Sequence, residues 1–382
     1  MTWTWEELGD RARRDLDLLT SPEGWLQAGL PRFARLFGRD SAISALQVLD
    51  ERPQVAAATI RALAATQGTR YRARRDEQPG RIAHEIPVRR ADRVRMALRK
   101  QFRWGFPYYG SVDATAWWIR LTAAYVEATD DHALLGEVRP NLDAAARWIA
   151  GDARIGAQGL VGAQRANGAG LEHQGWRDAD MGNIVMAPPV AMVEVQGYYE
   201  RAVVDLARLG VAVPAAAHGD RDRFHRAFWM AEQSSYALAV DGTGRPVRVV
   251  TSNPGHLLGT PILTPARAGA VADRLMLPDL WSIGGIRTHS RDDPHFDADS
   301  YQRGSVWPHD NWVIHEGLRA IGRHADAARL RAAVLDALCH LEHIPELFAV
   351  HGDRPVALAV AQPVQAWSSG TVVALLNAER QA

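Results

Sequence analysis

Five stretches of this sequence crowd carboxylates, aromatic rings, glycines and amide side chains into short runs. They are Phe37-Gly38-Arg39-Asp40, Tyr108-Tyr109-Gly110-Ser111-Val112-Asp113, His173-Gln174-Gly175-Trp176-Arg177-Asp178, Tyr301-Gln302-Arg303-Gly304-Ser305-Val306-Trp307-Pro308-His309-Asp310-Asn311 and Pro345-Glu346-Leu347-Phe348. Carboxylates and amides hydrogen-bond hydroxyl groups, while Trp and Tyr stack on the C–H faces of sugar rings. A cavity lined by such groups suits a neutral polyol. Two carboxylates on opposite walls are also the minimum equipment for cleaving a glycosidic bond: one gives a proton to the leaving oxygen, the other activates water. Asp178 is the candidate acid, because Trp176 offers the desolvating neighbour that raises a carboxyl pKa. Glu346 is the candidate base, following a long helix in the apolar frame Ile344-Pro-Glu-Leu-Phe348. For an isolated carboxylate, a helix cap or an ion pair with one of the many arginines is the commoner role.

The elements that must position these runs are mostly helices. Trp117, Leu121, Ala124 and Tyr125 recur at helical spacing, as do Leu142, Ala145, Ala146 and Ile149 just after Pro140, a good first-turn residue. Val195, Tyr199, Ala202, Leu206 and Leu209 repeat the pattern, and Leu330, Val334, Leu338 and Leu341 mark a late helix. Further helices are expected near 4–19, 39–50, 53–66, 218–234, 265–276, 306–321 and 366–378, eleven in all. Strand-like material is short and scattered. Long loops rich in Gly, Trp, Asp and Pro lie between, at about 67–112, 152–187, 236–264, 277–305 and 344–365, and loops of that length are usually functional. No linker or charge block separates two halves, so one domain over 1–382 is expected, a closed ring of helical hairpins with elaborated loops at one end.

Composition narrows the class. Of 382 residues 47% are hydrophobic, too many for a disordered chain, and 44 basic residues offset 44 acidic ones, so no global field draws the chain to nucleic acid or anionic membrane. The 13 Trp fill core and stack on sugars alike, and one cysteine, Cys339, excludes an intrachain disulfide. No run of 18 apolar residues exists, and the first residues lack the order of a secretory signal, so a soluble cytoplasmic protein is expected. Every basic side chain but Lys100 is arginine, and segment 70–103 holds eleven of them. That part of the 67–112 excursion is a solvated surface loop or a lid whose arginines meet an anionic or heavily hydroxylated ligand.

Collinear motifs then resemble a known family. Gly29-Leu-Pro-Arg-Phe-Ala-Arg-Leu-Phe-Gly-Arg-Asp-Ser41, Tyr108-Tyr-Gly-Ser-Val-Asp-Ala-Thr115, Gln174-Gly-Trp-Arg-Asp178, Ser252-Asn-Pro-Gly-His-Leu-Leu258 and Gly304-Ser-Val-Trp-Pro-His-Asp-Asn311 are similar to the barrel of bacterial amylo-α-1,6-glucosidases, glycogen-debranching-type members of the six-hairpin glycosidases. Pro345-Glu-Leu-Phe348 and Gln365-Ala-Trp-Ser368 continue the likeness. The resemblance implies an all-α (α/α)6 toroid, an inverting mechanism and no metal or organic cofactor. It makes Asp178 the general acid and Glu346 the general base. Arg39, Asp40 and Asp113 are expected to hold hydroxyls of the sugar in the first subsite. Gln174, Trp176, Arg303, Trp307, His309, Asp310 and Trp367 complete the expected substrate-binding set. Departures from the family pattern are His173, Ala179, Gly284 where a Trp is usual, and Gln302 where a His is common. Members often carry a large N-terminal β-rich domain; little precedes the first motif here, so a glycogen-anchoring contribution is expected to be absent.

The first expectation for function is removal of a terminal α-linked glucose, as in debranching. The related mannosylglycerate hydrolase-like group shares the barrel and the Gly-x-Val-Trp-Pro segment. It supplies the alternative: hydrolysis of a small anionic glycoside such as mannosylglycerate or glucosylglycerate, with an arginine of 70–103 meeting the carboxylate. An epimerase would need paired histidines, which the spacing of His173, His309 and His340 does not demand. A non-catalytic sugar-binding protein would lose one of the two carboxylates. An oligosaccharide or small glycoside is thus the expected partner.

Overall fold

The computed structural model describes residues 2–87, 104–179 and 181–378. Eleven α-helices lie in these residues: α1 (Trp5–Leu19), α2 (Gly38–Gln47), α3 (Pro53–Ala65), α4 (Ala114–Thr129), α5 (His132–Ala150), α6 (Val193–Arg208), α7 (Arg221–Phe228), α8 (Pro265–Leu275), α9 (Pro308–Ala320), α10 (His324–Cys339) and α11 (Ala366–Asn377). Local chemistry sets many of their starts. Thr4 caps α1 in a capping box, taking a bond from the Glu7 amide while the Glu7 carboxylate accepts from the Thr4 amide at 2.8 Å. Pro53, Pro265 and Pro308 occupy the first turns of α3, α8 and α9, where a missing N–H costs nothing.

Two expectations need correction. Pro140 does not open a helix. It lies inside α5, which begins eight residues earlier because Asp131 caps it by accepting from the Leu134 amide at 2.9 Å. The helix expected over 218–234 stops at Phe228, and Trp229–Met230 instead pairs antiparallel with Ser235–Tyr236.

The helices sort into two sets by burial and packing. α2 packs on α4, α4 on α6, α6 on the 3-10 turn Asn253–Leu257, that turn on α9, α9 on α11, and α11 back on α2. The second set flanks these: α1 on α11, α3 on α2 and α4, α5 on α4 and α6, α8 on the 3-10 turn and α10 on α9. The first set is buried all round, as in α2 from Gly38 to Ala45 and α11 from Ala366 to Val373. Flanking helices carry only an apolar stripe, such as Leu8, Ala12, Leu16 and Leu19 of α1. α2 and α11 approach so closely that a side chain at Gly370 would strike the Gln47 amide. One apolar cluster runs from Leu8 to Leu375.

The chain is helix-rich without being purely helical. Its loops pair into two- and three-stranded sheets with strands of two to four residues, for example Leu36–Phe37 with Glu85–Ile86 and Phe348–His351 with Arg354–Ala357. These pairings satisfy backbone groups that packed loops would otherwise leave without partners. No helix among the described residues is long and apolar enough to cross a membrane.

Candidate active site

Three helices of the first set, α2, α9 and α11, bring their N-terminal ends to one cavity. Arg39 and Asp40 lie in the first turn of α2, Trp307 precedes Pro308 at the head of α9, and Trp367 is the second residue of α11. Gly38 is required at its position: a Cβ there would lie 2.1 Å from the Ala83 carbonyl oxygen. Together with loops 31–37, 84–85, 176–179 and Glu346, these turns enclose a cavity of about 990 Å³. Arg39, Asp40, Trp176, Asp178, Trp307, Glu346 and Trp367 line it, joined by Tyr301, whose ring meets Trp307 edge-on at 4.8 Å.

Asp178 is held by its loop. The Gln302 amide clamps both sides, donating to the Trp176 carbonyl at 2.9 Å and accepting from the Ala179 N–H at 3.2 Å. Glutamine can do both because its amide carries a donor and an acceptor on one planar head. Arg177, between Trp176 and Asp178, points away from the cavity and donates to the carbonyls of Gln302 and Thr288. The Asp178 carboxylate keeps 25% exposure and accepts from Arg39 Nη2 at 3.0 Å.

Glu346 stands on the other motif. Its amide donates to the Gln362 carbonyl at 2.9 Å, and the Gln362 amide returns a bond to Oε2 at 3.2 Å. The Tyr301 hydroxyl donates to Oε1 at 2.7 Å. Two residues on, Phe348 bridges to Val306, which ties the Glu346 loop to the Trp307 segment.

The Arg39 guanidinium is the hub of the floor. Besides Asp178 it reaches the Gly175 carbonyl at 2.9 Å and Asp113 at 3.4 Å through Nη1, and its Nε faces Asp40 at 3.5 Å. Burial works against its charge, but Asp113, Asp178 and Asp40 together keep it firmly protonated. Burial pushes Asp40 up to about 7 against the pull of Arg39, with Asp178 and Asp113 adding to the rise. Glu346 is also pushed up to about 7 by burial, which outweighs the bonds from Tyr301 and the Gln362 amide. Asp178 is raised by burial and drawn back by Arg39. The charged neighbour that draws Asp178 back is therefore Arg39.

Five residues expected to touch substrate do not line this cavity. Asp113 is wholly buried beneath Arg39 and serves it as a counter-ion. Gln174 accepts from Arg81 at 2.7 Å and donates to Asp76 at 3.2 Å, bracing the loop from behind. His309 lies parallel to Trp367 at 3.9 Å and backs that indole, while Asp310 bonds His256 Nε2 at 2.7 Å under Trp176. Arg303 turns out to the His295 carbonyl and Asp297. Arg39 lines the cavity but is only 3% exposed and committed to protein partners. Gln174, Arg303, His309 and Asp310 each sit within three positions of a lining residue, and neighbouring side chains along a loop or helix turn to different faces.

The described arginines of the basic segment brace the protein as well: Arg72 and Arg75 face Glu77, and Arg81 is buried against Ser111, Asp76 and Gln174. The lid expectation spans 70–103, and its 88–103 part lies outside the described residues. The rim arginines are instead Arg32 and Arg35; Arg35 is paired with Glu85 at 2.6 Å. Sequence reasoning missed both, along with Tyr301 as the partner of Glu346, although Tyr301 opens one of the five runs. Gly284 also has a local cause: a Cβ there would come within 2.7 Å of the Phe348 ring, which occupies that space. Among the described residues no group of three or more His, Cys, Asp and Glu side chains is placed to hold a metal ion.

A helix-rich fold whose cavity brings two carboxylates among three indoles that meet edge-on suits a glycoside hydrolase, and the family comparison shows that class. Residues 38–349 match the mannosylglycerate hydrolase MGH1-like glycoside hydrolase domain, and the chain belongs to that family. Its fold is similar to that of the GH63 mannosylglycerate hydrolase of Thermus thermophilus in complex with Tris, with TM-score 0.67 and 17% identity over 97% of this chain and 100% of that one. The same enzyme in complex with Tris and D-glycerate gives 0.66 and 18% over 96% and 99%. An uncharacterised conserved protein of the same organism gives 0.67 and 19% over 97% and 99%. No curated protein matches the sequence.

Proposed function

We propose that the protein is an inverting hydrolase of a small anionic glycoside, of the mannosylglycerate or glucosylglycerate kind, built on an (α/α)6 toroid. The cyclic packing of the first helix set, with a second set flanking it, supports the toroid. The family match favours this substrate class over the α-1,6 branch of glycogen, and rim arginines are the groups an aglycone carboxylate would meet. The observation that carries the reading is the cavity itself, with Asp178 and Glu346 both on its wall among Trp176, Trp307 and Trp367.

In this reading the sugar stacks among the indoles with its anomeric carbon between the two carboxyls. Asp178 gives its proton to the glycosidic oxygen as the bond to the anomeric carbon breaks. Glu346 takes a proton from a water, whose oxygen bonds to that carbon from the opposite face. The products are the free aglycone and a sugar of inverted configuration. The two residues call for no metal or organic cofactor in these steps. Single, buried Cys339 suits a reducing cytoplasm.

The test is proton NMR of the protein incubated with mannosylglycerate, glucosylglycerate, isomaltose and panose. Release of a β-configured hexose from a glycerate glycoside is the expected result. Release only from the α-1,6 substrates would move the assignment to a debranching-type glucosidase. An α-configured first product would overturn inversion.

A further inference from the structure

A general acid must hold a proton when substrate is bound, yet the cavity leaves Asp178 in contact with a buried guanidinium at 3.0 Å, an arrangement that favours the carboxylate. The same Arg39 faces Asp113 and Asp40, so one positive charge serves three carboxyl groups, two of them buried. Three such groups charged together beside a single cation repel one another, which favours a proton on one of them. Geometry says where. Arg39 bonds Asp178 directly, while Asp40 lies farther off at 3.5 Å from a guanidinium N–H with no hydrogen-bond partner, and one of its oxygens is buried and unbonded.

We propose that Arg39 is the switch for the acid: when a sugar fills the cavity, the guanidinium leaves Asp178 for Asp40, and the proton held by Asp40 is replaced by one on Asp178. The exchange is balanced. One proton leaves one carboxyl and one arrives on another, so the charge of the four-group cluster is unchanged. The move is short, because Nε already faces Asp40 and the Nη1 bond to the Gly175 carbonyl holds the pivot in place. A sugar hydroxyl that donates to the Asp40 carboxylate, or a substrate oxygen that accepts from protonated Asp178, supplies the differential interaction such a shift requires.

The other groups facing the cluster leave this exchange as the main one. Glu346, across the cavity, has its own donors in Tyr301 and the Gln362 amide. His84 and His309 are held neutral by burial, with Arg39 adding to the effect in both. Burial keeps the Tyr301 and Tyr198 phenols protonated.

The proposal rests on the reading of Asp178 as general acid, and two measurements separate their failures. The first follows the wild-type protein labelled with 13C at aspartate carboxyls, the Asp178 and Asp40 signals being identified by their loss in Asp178→Asn and Asp40→Asn. On saturation with mannose, or separately glucose, the Asp178 midpoint should rise by about one pH unit or more while that of Asp40 falls. An Asp178 midpoint that stays or drops overturns the switch. In Arg39→Gln, or Arg39→Lys should the first not fold, the sugar-dependent exchange should disappear. The second measurement compares Asp178→Asn on mannosylglycerate and on α-mannosyl fluoride, whose fluoride departs without a proton. Activity kept on the fluoride and lost on the glycoside upholds the acid; equal loss on both overturns that reading and the switch with it.

Discussion

Replacing Tyr301 with phenylalanine removes one oxygen from the cavity and leaves the ring that packs against Trp307. The lost bond, 2.7 Å to Glu346 Oε1, favours the ionised carboxylate of a residue already pushed up to about 7 by burial. A buried hydrogen bond to a charged group contributes about 1.5–3 kcal/mol, which at about 1.4 kcal/mol per pH unit raises the carboxyl by about one to two units, to about 8–9. At pH 7 the ionised fraction then drops from about a half to between about a tenth and a hundredth, and turnover should fall about 5- to 50-fold. Hydrolysis of mannosylglycerate at pH 7 gives the rate, and a 13C titration of glutamate carboxyls gives the Glu346 midpoint, identified by its loss in Glu346→Gln. Thermal unfolding at pH 7 should change little, since the Glu346 carboxyl that loses its donor takes up a proton instead of staying charged and unpaired. Unchanged turnover, or a loss with the Glu346 midpoint still near 7, would refute the idea that Tyr301 works by holding the base ionised.

Other outcomes follow from the same geometry. On the proposed mechanism, Asp178→Asn and Glu346→Gln should each lower turnover of mannosylglycerate by about two or more orders of magnitude with near-unchanged circular dichroism, because each would remove one proton-transfer partner. Gln302→Ala removes both clamps on the Asp178 loop; a melt should show about 1–3 kcal/mol of lost stability, and turnover should drop more than KM changes. Asp40 and Glu346 bind their protons more tightly folded than unfolded, so their contribution to stability is complete below about pH 4 and is lost as pH rises through about 7. The melting temperature should therefore decline between pH 5 and 8, and less steeply in Glu346→Gln.

Much of this protein is legible one segment at a time. Helical periodicity and end signals are local, so nine of the eleven expected helical stretches lie close to the observed bounds, and the start expected at Pro140 shows the cap at Asp131 overriding the proline cue. The runs around Arg39, Asp178, Trp307 and Glu346 also announce themselves, because a sugar site needs carboxylates and indoles on loops. What no local pattern contains is which neighbour of a lining residue faces inward. Trp307 meets the cavity while Asp310, three residues on, turns to His256, because the packing of adjacent helices decides which face is enclosed. Charge is settled the same way. Arg39 acquires its partners from positions 113, 175 and 178, and Glu346 from 301 and 362, across loops that meet only in the folded chain. The carboxyls as a set are written in the sequence. Their protonation, and so their division of labour, comes from the tertiary structure, because burial and through-space charge depend on distance in the fold rather than along the chain.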